Sequence, residues 1–240
     1  MDIRMFGATD VGRQRKNNQD NLYFDSRLGI AVVADGIGGR NSGEVASGIA
    51  VRGLKQAILD CESLRHEDVA PFLTEGIDKV NRQIILAGQA DPQMAGMGTT
   101  VNALLFVGNK VYIGHLGDSR TYLFVNGQMW QLTLDHNIKL YVKRGWLPQE
   151  ALANGKPESL VRALGLSMEC EVDIYEKELY SDEMLITCSD GLTDMVPDKR
   201  IASIIKENRS HPERLPQILI AEANKQGGRD NITVIVSEVR

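Results

Sequence analysis

The feature that most constrains this chain is a junction, repeated along the sequence, between an apolar run and an aspartate with glycine close by. The first example is Ala31-Val32-Val33-Ala34-Asp35-Gly36, and further glycines follow at Gly38 and Gly39. An apolar run of this length, bounded by glycine, predicts a buried strand. Similar junctions recur along the chain, two of them with the aspartate before the strand. The aspartates at these junctions are Asp20, Asp35, Asp118, Asp190 and Asp230.

Any one of these aspartates, taken alone, is most simply a turn residue. If the strand ends converge, the five carboxylates share one place and repel each other. A divalent cation removes that repulsion, and an all-oxygen ligand set favours Mg²⁺, Mn²⁺ or Ca²⁺. Glycine beside an aspartate also lets a backbone carbonyl approach. We therefore predict that Asp35 and the Gly36 carbonyl bind metal, and that Gly38 and Gly39 keep the turn open.

A phosphate-binding side chain is expected near these carboxylates. Carboxylate sites that hold two metals commonly act on phosphoryl groups. Arg15 lies five residues before Asp20, and a guanidinium binds phosphate oxygens with paired donors. The alternative for Arg15 is a solvated surface side chain.

Composition narrows the class of protein. The 240 residues are 42% hydrophobic with a net charge of −5, which argues against a nucleic-acid-binding protein. No run approaches the roughly 18 apolar residues of a membrane span. The three cysteines, Cys61, Cys170 and Cys188, form no CxxC pair, so neither a disulfide framework nor a zinc site is predicted. We expect a cytoplasmic protein that is not bound to a membrane.

The order of the predicted elements favours an α+β fold in one domain, residues 1–240. Two amphipathic helices come first, several strands follow, and two helices and a last strand end the chain. The predicted helices are 42–60, 68–87, 198–208 and 212–226. The predicted strands are 21–25, 29–34, 100–107, 110–115, 121–125, 128–132, 171–179, 183–188 and 232–239. Gly108-Asn109 and Asn126-Gly127 predict hairpins, and thus an antiparallel meander in the middle of the chain. The polar, strand-poor segment 136–165 is predicted to be an inserted flap.

These motifs together resemble one known family, the metal-dependent Ser/Thr protein phosphatases of type 2C in their compact bacterial form. Each motif alone is weak, but eight of them in family order over nearly the whole chain are specific. The matching segments are RKNNQDN (15–21), VVADGIGGRNSGEVAS (32–47), GTT (98–100), GHLGDSRTYLF (114–124), LTLDHN (132–137), LVRALG (160–165), LITCSDGLTDMV (185–196) and GGRDNITVIV (227–236).

The resemblance implies a four-layer α-β-β-α sandwich, in which two antiparallel sheets are flanked by helix pairs. It also implies two Mn²⁺ or Mg²⁺ ions at one edge of the sandwich, with a third, weaker site. Asp35 would bridge the two metals, which makes it catalytic as well as a ligand. By the same resemblance, the Gly36 carbonyl and Asp20 would bind one metal, and Asp190 and Asp230 would bind the other. Asp118 would bind the third metal together with Asp190. Arg15 would bind the substrate phosphate.

The activity that the resemblance implies is direct hydrolysis of phosphoserine and phosphothreonine on proteins, by a water that bridges the metals. The expected partners are a phosphorylated protein substrate and a bacterial Ser/Thr kinase, and the protein is expected to be a monomer. Two positions depart from the family pattern, because Ile37 and Arg40 stand where many members carry histidine. Arg40 is a candidate contact for the substrate phosphate or simply an exposed side chain. The alternatives are a catalytically silent binding module and a hydrolase of small phosphate esters.

Overall fold

A computed structural model of the chain describes residues 1–38, 42–61 and 63–240, so Gly39 and Arg40, both named above, lie outside the described residues. The strands are β1 (Ile3–Asp10), β2 (Asp20–Asp25), β3 (Ile30–Ile37), β4 (Gly98–Thr99), β5 (Val101–Val107), β6 (Lys110–Leu116), β7 (Arg120–Val125), β8 (Gln128–Gln131), β9 (Asp173–Glu178), β10 (Met184–Cys188) and β11 (Ile232–Val239). They form two antiparallel sheets. The first has the order β1-β11-β10-β7-β8, and the second has the order β2-β3-β5-β6-β9 with β4 paired to β3.

The helices are α1 (Ser42–Leu59), α2 (His66–Ala90), α3 (Ile138–Lys143), α4 (Glu150–Asn154), α5 (Asp190–Thr193), α6 (Asp198–Glu207) and α7 (Leu215–Lys225). Two short 3-10 turns, Pro92–Met94 and Pro212–Arg214, complete the described elements. In α2 the apolar residues recur every three or four positions, which places them on one face of the helix. The buried apolar residues of that face are Val69, Leu73, Ile77, Val80 and Ile84. None of these helices is both long and apolar enough to cross a bilayer, as far as the described residues extend.

Three apolar clusters separate four layers. One joins α1 and α2 to the second sheet, one joins α6 and α7 to the first sheet, and the third lies between the two sheets. Strand β3 contributes to two of them. Ala31 and Val33 face the other sheet, whereas Val32 and Ala34 face the helices. Because side chains alternate along a strand, a strand covered on both faces needs an unbroken apolar run. The predicted sandwich is therefore confirmed.

The predicted meander is wrong in one respect. The hairpin β5–β6 belongs to the second sheet and the hairpin β7–β8 to the first. The chain crosses between the sheets at 117–119, where Gly117 has a φ of +106°. The hairpin signals specify a local turn, and they carry no information on which sheet each hairpin joins.

Several element boundaries also differ from the predictions. Strand β1 was not predicted, although it pairs along its whole length with β11. Strand β3 continues to Ile37, so Asp35 lies within a strand and not after it. The flap, residues 136–165, contains the two short helices α3 and α4 and no named strand. Its base is closed by an isolated bridge between Asn137 and Leu160.

Candidate metal centre

The first two predicted ligands face each other across a strand pair. Asp20 at the start of β2 is directly opposite Asp35 in β3. Residues that are directly opposite in an antiparallel pair project from the same face of the sheet, with Cβ atoms about 5 Å apart. Like charges at such positions destabilise the pair. Burial raises the pKa of Asp20 to about 6, and repulsion from Asp230 adds to that shift.

The other three aspartates lie at the same end of the sandwich. Asp118 follows the last residue of β6 by two positions, Asp190 follows β10 by two, and Asp230 precedes β11 by two. Burial raises the pKa of Asp35 well above its ordinary value, and repulsion from four other carboxylates raises it further. These four are Asp20, Asp190, Asp118 and Asp230. The predicted convergence of the five carboxylates is thus present in the fold.

Asp118 and Asp190 are affected in the same way. Burial raises the pKa of Asp118 to about 7, with Asp135 as the next cause. Burial also raises the pKa of Asp190, followed by repulsion from Asp118 and Asp230. Such a group of carboxylates is stable at neutral pH only when protons or cations compensate its charge.

The polar atoms of the site fit a cation. Asp20 Oδ1 and Asp190 Oδ1 are buried and have no hydrogen-bond partner. Buried carboxylate oxygens are normally satisfied, so these two are available to a ligand. Among the described residues, no three His, Cys, Asp or Glu side chains are already gathered as a complete ligand set. The donors present here are oxygen atoms, which suit Mg²⁺ or Mn²⁺ better than zinc.

Gly36 is required for a reason different from the one that the sequence indicated. A Cβ atom at Gly36 would lie 2.2 Å from the carbonyl oxygen of Gly43 and 2.6 Å from that of Gln19. The glycine therefore lets the first turn of α1 and the loop before β2 approach the end of β3 that carries Asp35. The Gly36 amide donates to the Gln19 carbonyl at 3.1 Å, which fixes the direction of the Gly36 peptide.

The backbone of Asp35 is held by two threonines. Its N–H donates to Thr100 Oγ1 at 3.0 Å, and its carbonyl accepts from Thr99 Oγ1 at 2.9 Å and from the Thr100 amide at 2.8 Å. Thr100 Oγ1 also lies 2.7 Å from Ser119 Oγ, next to Asp118. These bonds satisfy the N–H and the carbonyl of Asp35 and fix the backbone that carries its carboxylate.

Ser189 and Asn231 support the opposite side of the site. Ser189 Oγ donates to Asp20 Oδ2 at 2.7 Å and accepts from the Thr233 amide at 2.9 Å. Asn231 Oδ1 accepts from the Gln19 amide at 2.8 Å, and its amide group donates to the carbonyls of Val11 and Asn17. Asn231 therefore holds both ends of the loop that carries Arg15 against the start of β11.

Arg15 lies at the rim of the site. Its Nη2 forms a salt bridge of 2.6 Å with Asp230 Oδ2, and its side chain is 51% exposed. An exposed guanidinium that uses one donor on a carboxylate can reach an incoming anion with its remaining donors. Arg15 is thus at the site and also half solvated, so its binding of phosphate stays a prediction.

An open cavity of about 570 Å³ lies over the centre, with flap residues on one wall. It is lined by Arg15, Gln19, Asp35, Gly36, Ile37, Gly38, Thr100, Asp118, Glu158, Ser159, Leu160, Leu166, Asp190 and Asp230. Asp20 is not in this lining, because it lies below the centre against Ser189. Among the described residues, the structure therefore places Arg15, Gly36 and the five predicted aspartates at one end of the sandwich.

A second cavity, of about 380 Å³, shares Asp118, Asp190 and Asp230 with the first. Arg120 lies in its wall and binds Asp135 through two bonds, Nε to Oδ1 at 2.8 Å and Nη2 to Oδ2 at 2.6 Å. Asp135 still repels Asp118, and Arg120, held by this bidentate pair, offsets part of that repulsion.

Sequence reasoning missed these supporting residues. Ser189, Thr100, Asn231 and Arg120 are all in matched motifs, but short-range patterns give no role to a polar side chain beside a ligand. One sequence signal could have pointed to these supporting residues: each is a polar residue at the end of an apolar strand, close to one of the aspartates.

This geometry can bind two or more hard divalent cations on carboxylates, beside an exposed guanidinium and under an open cavity. Those are the parts needed for metal-assisted hydrolysis of a phosphate ester. The sandwich and the site together define a metal-dependent phosphatase.

Comparison with known proteins agrees. The family model described as protein phosphatase 2C matches residues 12–215. A serine/threonine phosphatase, stp, of Listeria welshimeri is 39% identical over 236 residues, which cover 96% of this chain and 93% of that protein. The structure of the Streptococcus agalactiae serine/threonine phosphatase superposes with a TM-score of 0.89 at 32% identity, over 99% of this chain and 100% of that one. The catalytic domain of the phosphatase PstP, solved with two manganese ions, has a TM-score of 0.85 at 31% identity, over 100% of this chain and 99% of that one.

The chain belongs to the protein phosphatase 2C family. It is a metal-dependent enzyme that removes phosphate from serine and threonine in proteins, and its cofactor is Mn²⁺ or Mg²⁺.

Proposed function

We propose that the residues at the end of the sandwich divide the catalytic work as the family resemblance implies. Asp35 would bridge two cations. The other ligands would be Asp20 and the Gly36 carbonyl on one cation, Asp190 and Asp230 on the other, and Asp118 with Asp190 on a third. The observation that carries this proposal is geometric: four of the aspartates line one cavity, the fifth, Asp20, is directly opposite Asp35, and two of the five have buried oxygens without partners.

When bound, the cations supply Lewis-acid stabilisation of the phosphoryl oxygens and lower the pKa of water. The chain itself orients the substrate. Arg15 would bind the phosphate with the guanidinium donors that Asp230 leaves free, and its salt bridge to Asp230 holds the guanidinium over the cavity. Thr99 and Thr100 fix the Asp35 backbone, so the carboxylate needs little reorganisation during the reaction.

Ile37 lines the cavity and cannot donate a proton. The group that assists the leaving alkoxide is therefore not the side chain at this position.

We also propose that the substrates are phosphoproteins made by a bacterial Ser/Thr kinase, and that the chain acts as a monomer, in one catalytic domain, in the cytoplasm. The open cavity supports a protein substrate, since a phosphorylated side chain must enter while its backbone stays outside. The three cysteines, all unpaired, agree with a reducing compartment.

The experiment is phosphate release from a phosphothreonine peptide, with Mn²⁺, with Mg²⁺ and with EDTA. Wild type should turn over only with metal. Asp190→Asn should be inactive under all three conditions, because the amide removes one anionic ligand from two of the proposed sites.

Asp60→Asn is the matched control, since Asp60 is an exposed aspartate at the end of α1. It should keep full activity. Activity of Asp190→Asn equal to wild type would contradict the ligand assignment. A wild type that is inert with both metals would favour the silent binding module.

A further inference from the structure

His136 joins the flap to the strand end that carries Asp118. It is the first residue of the flap, and its side chain is only 2% exposed. Its backbone N–H donates to the Gly117 carbonyl at 2.8 Å, and its ring Nδ1 lies 3.1 Å from the Gly117 N–H. Its own carbonyl accepts from the Val161 amide at 2.7 Å, near the other end of the flap. One buried residue thus contacts both ends of the flap segment and the peptide before Asp118.

These contacts determine which ring nitrogen carries the proton. A backbone N–H can only donate, so Nδ1 of His136 must be the acceptor for Gly117. The proton is therefore on Nε2, which lies 3.0 Å from Asp173 Oδ2 in β9. The ring donates to the carboxylate and accepts from the backbone, which is the arrangement of a carboxylate-oriented histidine.

Asp173 is held as an ionised acceptor. Burial acts to raise the pKa of Asp173, but hydrogen bonds from Arg162 and His136 outweigh it and hold the pKa below its ordinary value. Arg162 Nη2 donates to Asp173 Oδ1 at 2.7 Å and also reaches the Glu171 carbonyl. Burial lowers the pKa of His136, with Arg162 as the next cause, so the imidazole is neutral and keeps the Nδ1 lone pair.

The Gly117 peptide has little freedom to move by itself. Its φ of +106° disfavours other residues, and a Cβ atom there would lie 2.5 Å from Thr100 Cγ2. Thr100 in turn holds the Asp35 amide. A displacement of Gly117 would therefore change the direction of Asp118 and would disturb the contact with Thr100.

We infer that His136, oriented by Asp173, is a positioning residue that couples the flap to the metal site of Asp118. Through Gly117 it sets the direction of the Asp118 carboxylate, and through Val161 and Arg162 it sets the position of the flap. Metal at the Asp118 site and an ordered flap therefore favour each other. Glu158, Ser159 and Leu160 of the flap line the cavity over the centre, so the coupling reaches the space that the substrate enters. This inference rests on the proposed role of Asp118 as a metal ligand.

Two substitutions separate the role of Nδ1 from the role of the ring. In His136→Asn, the side-chain oxygen occupies nearly the position of Nδ1 and can accept from Gly117. In His136→Gln, the amide reaches toward Asp173, and nothing replaces the acceptor for Gly117. Both variants lose the imidazole ring, whose centroid lies 4.6 Å from that of His115, so the loss of ring packing is the same in the two variants.

The first measurement is Mn²⁺ binding to the metal-free proteins by calorimetry. The weakest binding step in His136→Gln should need about tenfold more Mn²⁺ than in wild type, the usual scale for loss of a group that orients a ligand. His136→Asn should bind close to wild type. The second measurement is amide hydrogen exchange over 138–164, which saturating Mn²⁺ should slow in wild type and His136→Asn but not in His136→Gln.

Equal Mn²⁺ binding and equal flap protection in wild type and His136→Gln would overturn the inference. So would equal impairment of the two variants, since the ring would then serve only to fill space. If His136→Gln does not fold, as judged by circular dichroism, Asp173→Ala takes its place. Asp173→Ala leaves the His136 ring free to turn, so the weakest Mn²⁺ binding step should again need more Mn²⁺ than in wild type. An unchanged Mn²⁺ titration would overturn the inference. A wild type that neither binds Mn²⁺ nor releases phosphate would instead refute the proposed function.

Discussion

His115 should make the stability of this protein sensitive to acid. It lies on β6 with no exposed surface, and its Nε2 is 2.8 Å from the Leu134 carbonyl, to which it donates. Its Nδ1 is 2.7 Å from the side-chain amide of Asn102, whose Nδ2 has no other partner among the described residues; with that amide turned, Nδ2 donates to Nδ1 and the ring is neutral. Burial, followed by repulsion from His136, lowers the pKa of His115 from 6.5 to about 3. The folded protein therefore holds this ring neutral at a pH at which the unfolded chain would already protonate it.

The sign follows from the direction of this shift. A histidine with a lowered pKa in the folded state takes up its proton more readily in the unfolded state. Its contribution to stability is complete above the unfolded pKa of 6.5 and is lost as the pH falls toward the folded pKa of about 3. Between roughly pH 7.5 and pH 5, the loss in the free energy of unfolding is about 2 kcal/mol.

The assay is urea unfolding of wild type and His115→Gln in EDTA, at both pH values. Glutamine can still donate to Leu134, but it does not titrate. The difference in the free energy of unfolding, wild type minus variant, should fall by about 2 kcal/mol between the two pH values. The carboxylates of the metal centre titrate in both proteins, so they cancel in this difference. A difference that stays constant with pH would refute the reasoning.

Three further predictions concern the centre itself. Asp35→Asn should abolish activity, yet in EDTA it should raise Tm by about 3 °C, because it removes a like charge opposite Asp20; a lower Tm in EDTA would contradict this. Gly36→Ala should lower the free energy of unfolding by about 3 kcal/mol, since its Cβ would lie 2.2 Å from the Gly43 carbonyl. If the variant unfolds in urea at the same concentration as wild type, the contact relaxes and the prediction is wrong. Arg15→Ala should lower kcat/KM on a phosphothreonine peptide by about tenfold. Arg15→Lys should retain part of the lost kcat/KM, because the ammonium keeps the positive charge but lacks the paired donors of the guanidinium. Equal kinetics for the two Arg15 variants and wild type would remove Arg15 from phosphate binding.

Much of the fold could be predicted because its signals are local. The apolar spacing of α2 and the continuous apolar run of β3 each specify an element without reference to the rest of the chain. Strand β1 escaped prediction because its burial is intermediate along most of its length, so its pattern does not alternate clearly. The helices α3 and α4 are short, and the contacts at the base of the flap stabilise them more than their own sequences do.

The candidate ligands could also be predicted, since each aspartate adjoins an apolar run. That these runs meet at one end of the sandwich, from two different sheets, is visible only in the structure. The residues that hold these ligands in place could not be predicted. The bond from Ser189 to Asp20 spans 169 positions of sequence, and the bond from Asn231 to Gln19 spans 212. No local pattern reports a partner so far away along the chain.

The sequence by itself determined the chemistry of this protein: oxygen ligands, a guanidinium for phosphate, and strands long and apolar enough to bury two sheets. The tertiary structure alone decided how those groups act together. Pairing of β2 with β3 sets Asp20 against Asp35, and the crossing between sheets places Gly117, the residue before Asp118, against His136. The physical reason is that residue type fixes which interactions are available, whereas repulsion, burial and orientation depend on distances that exist only after the chain has folded.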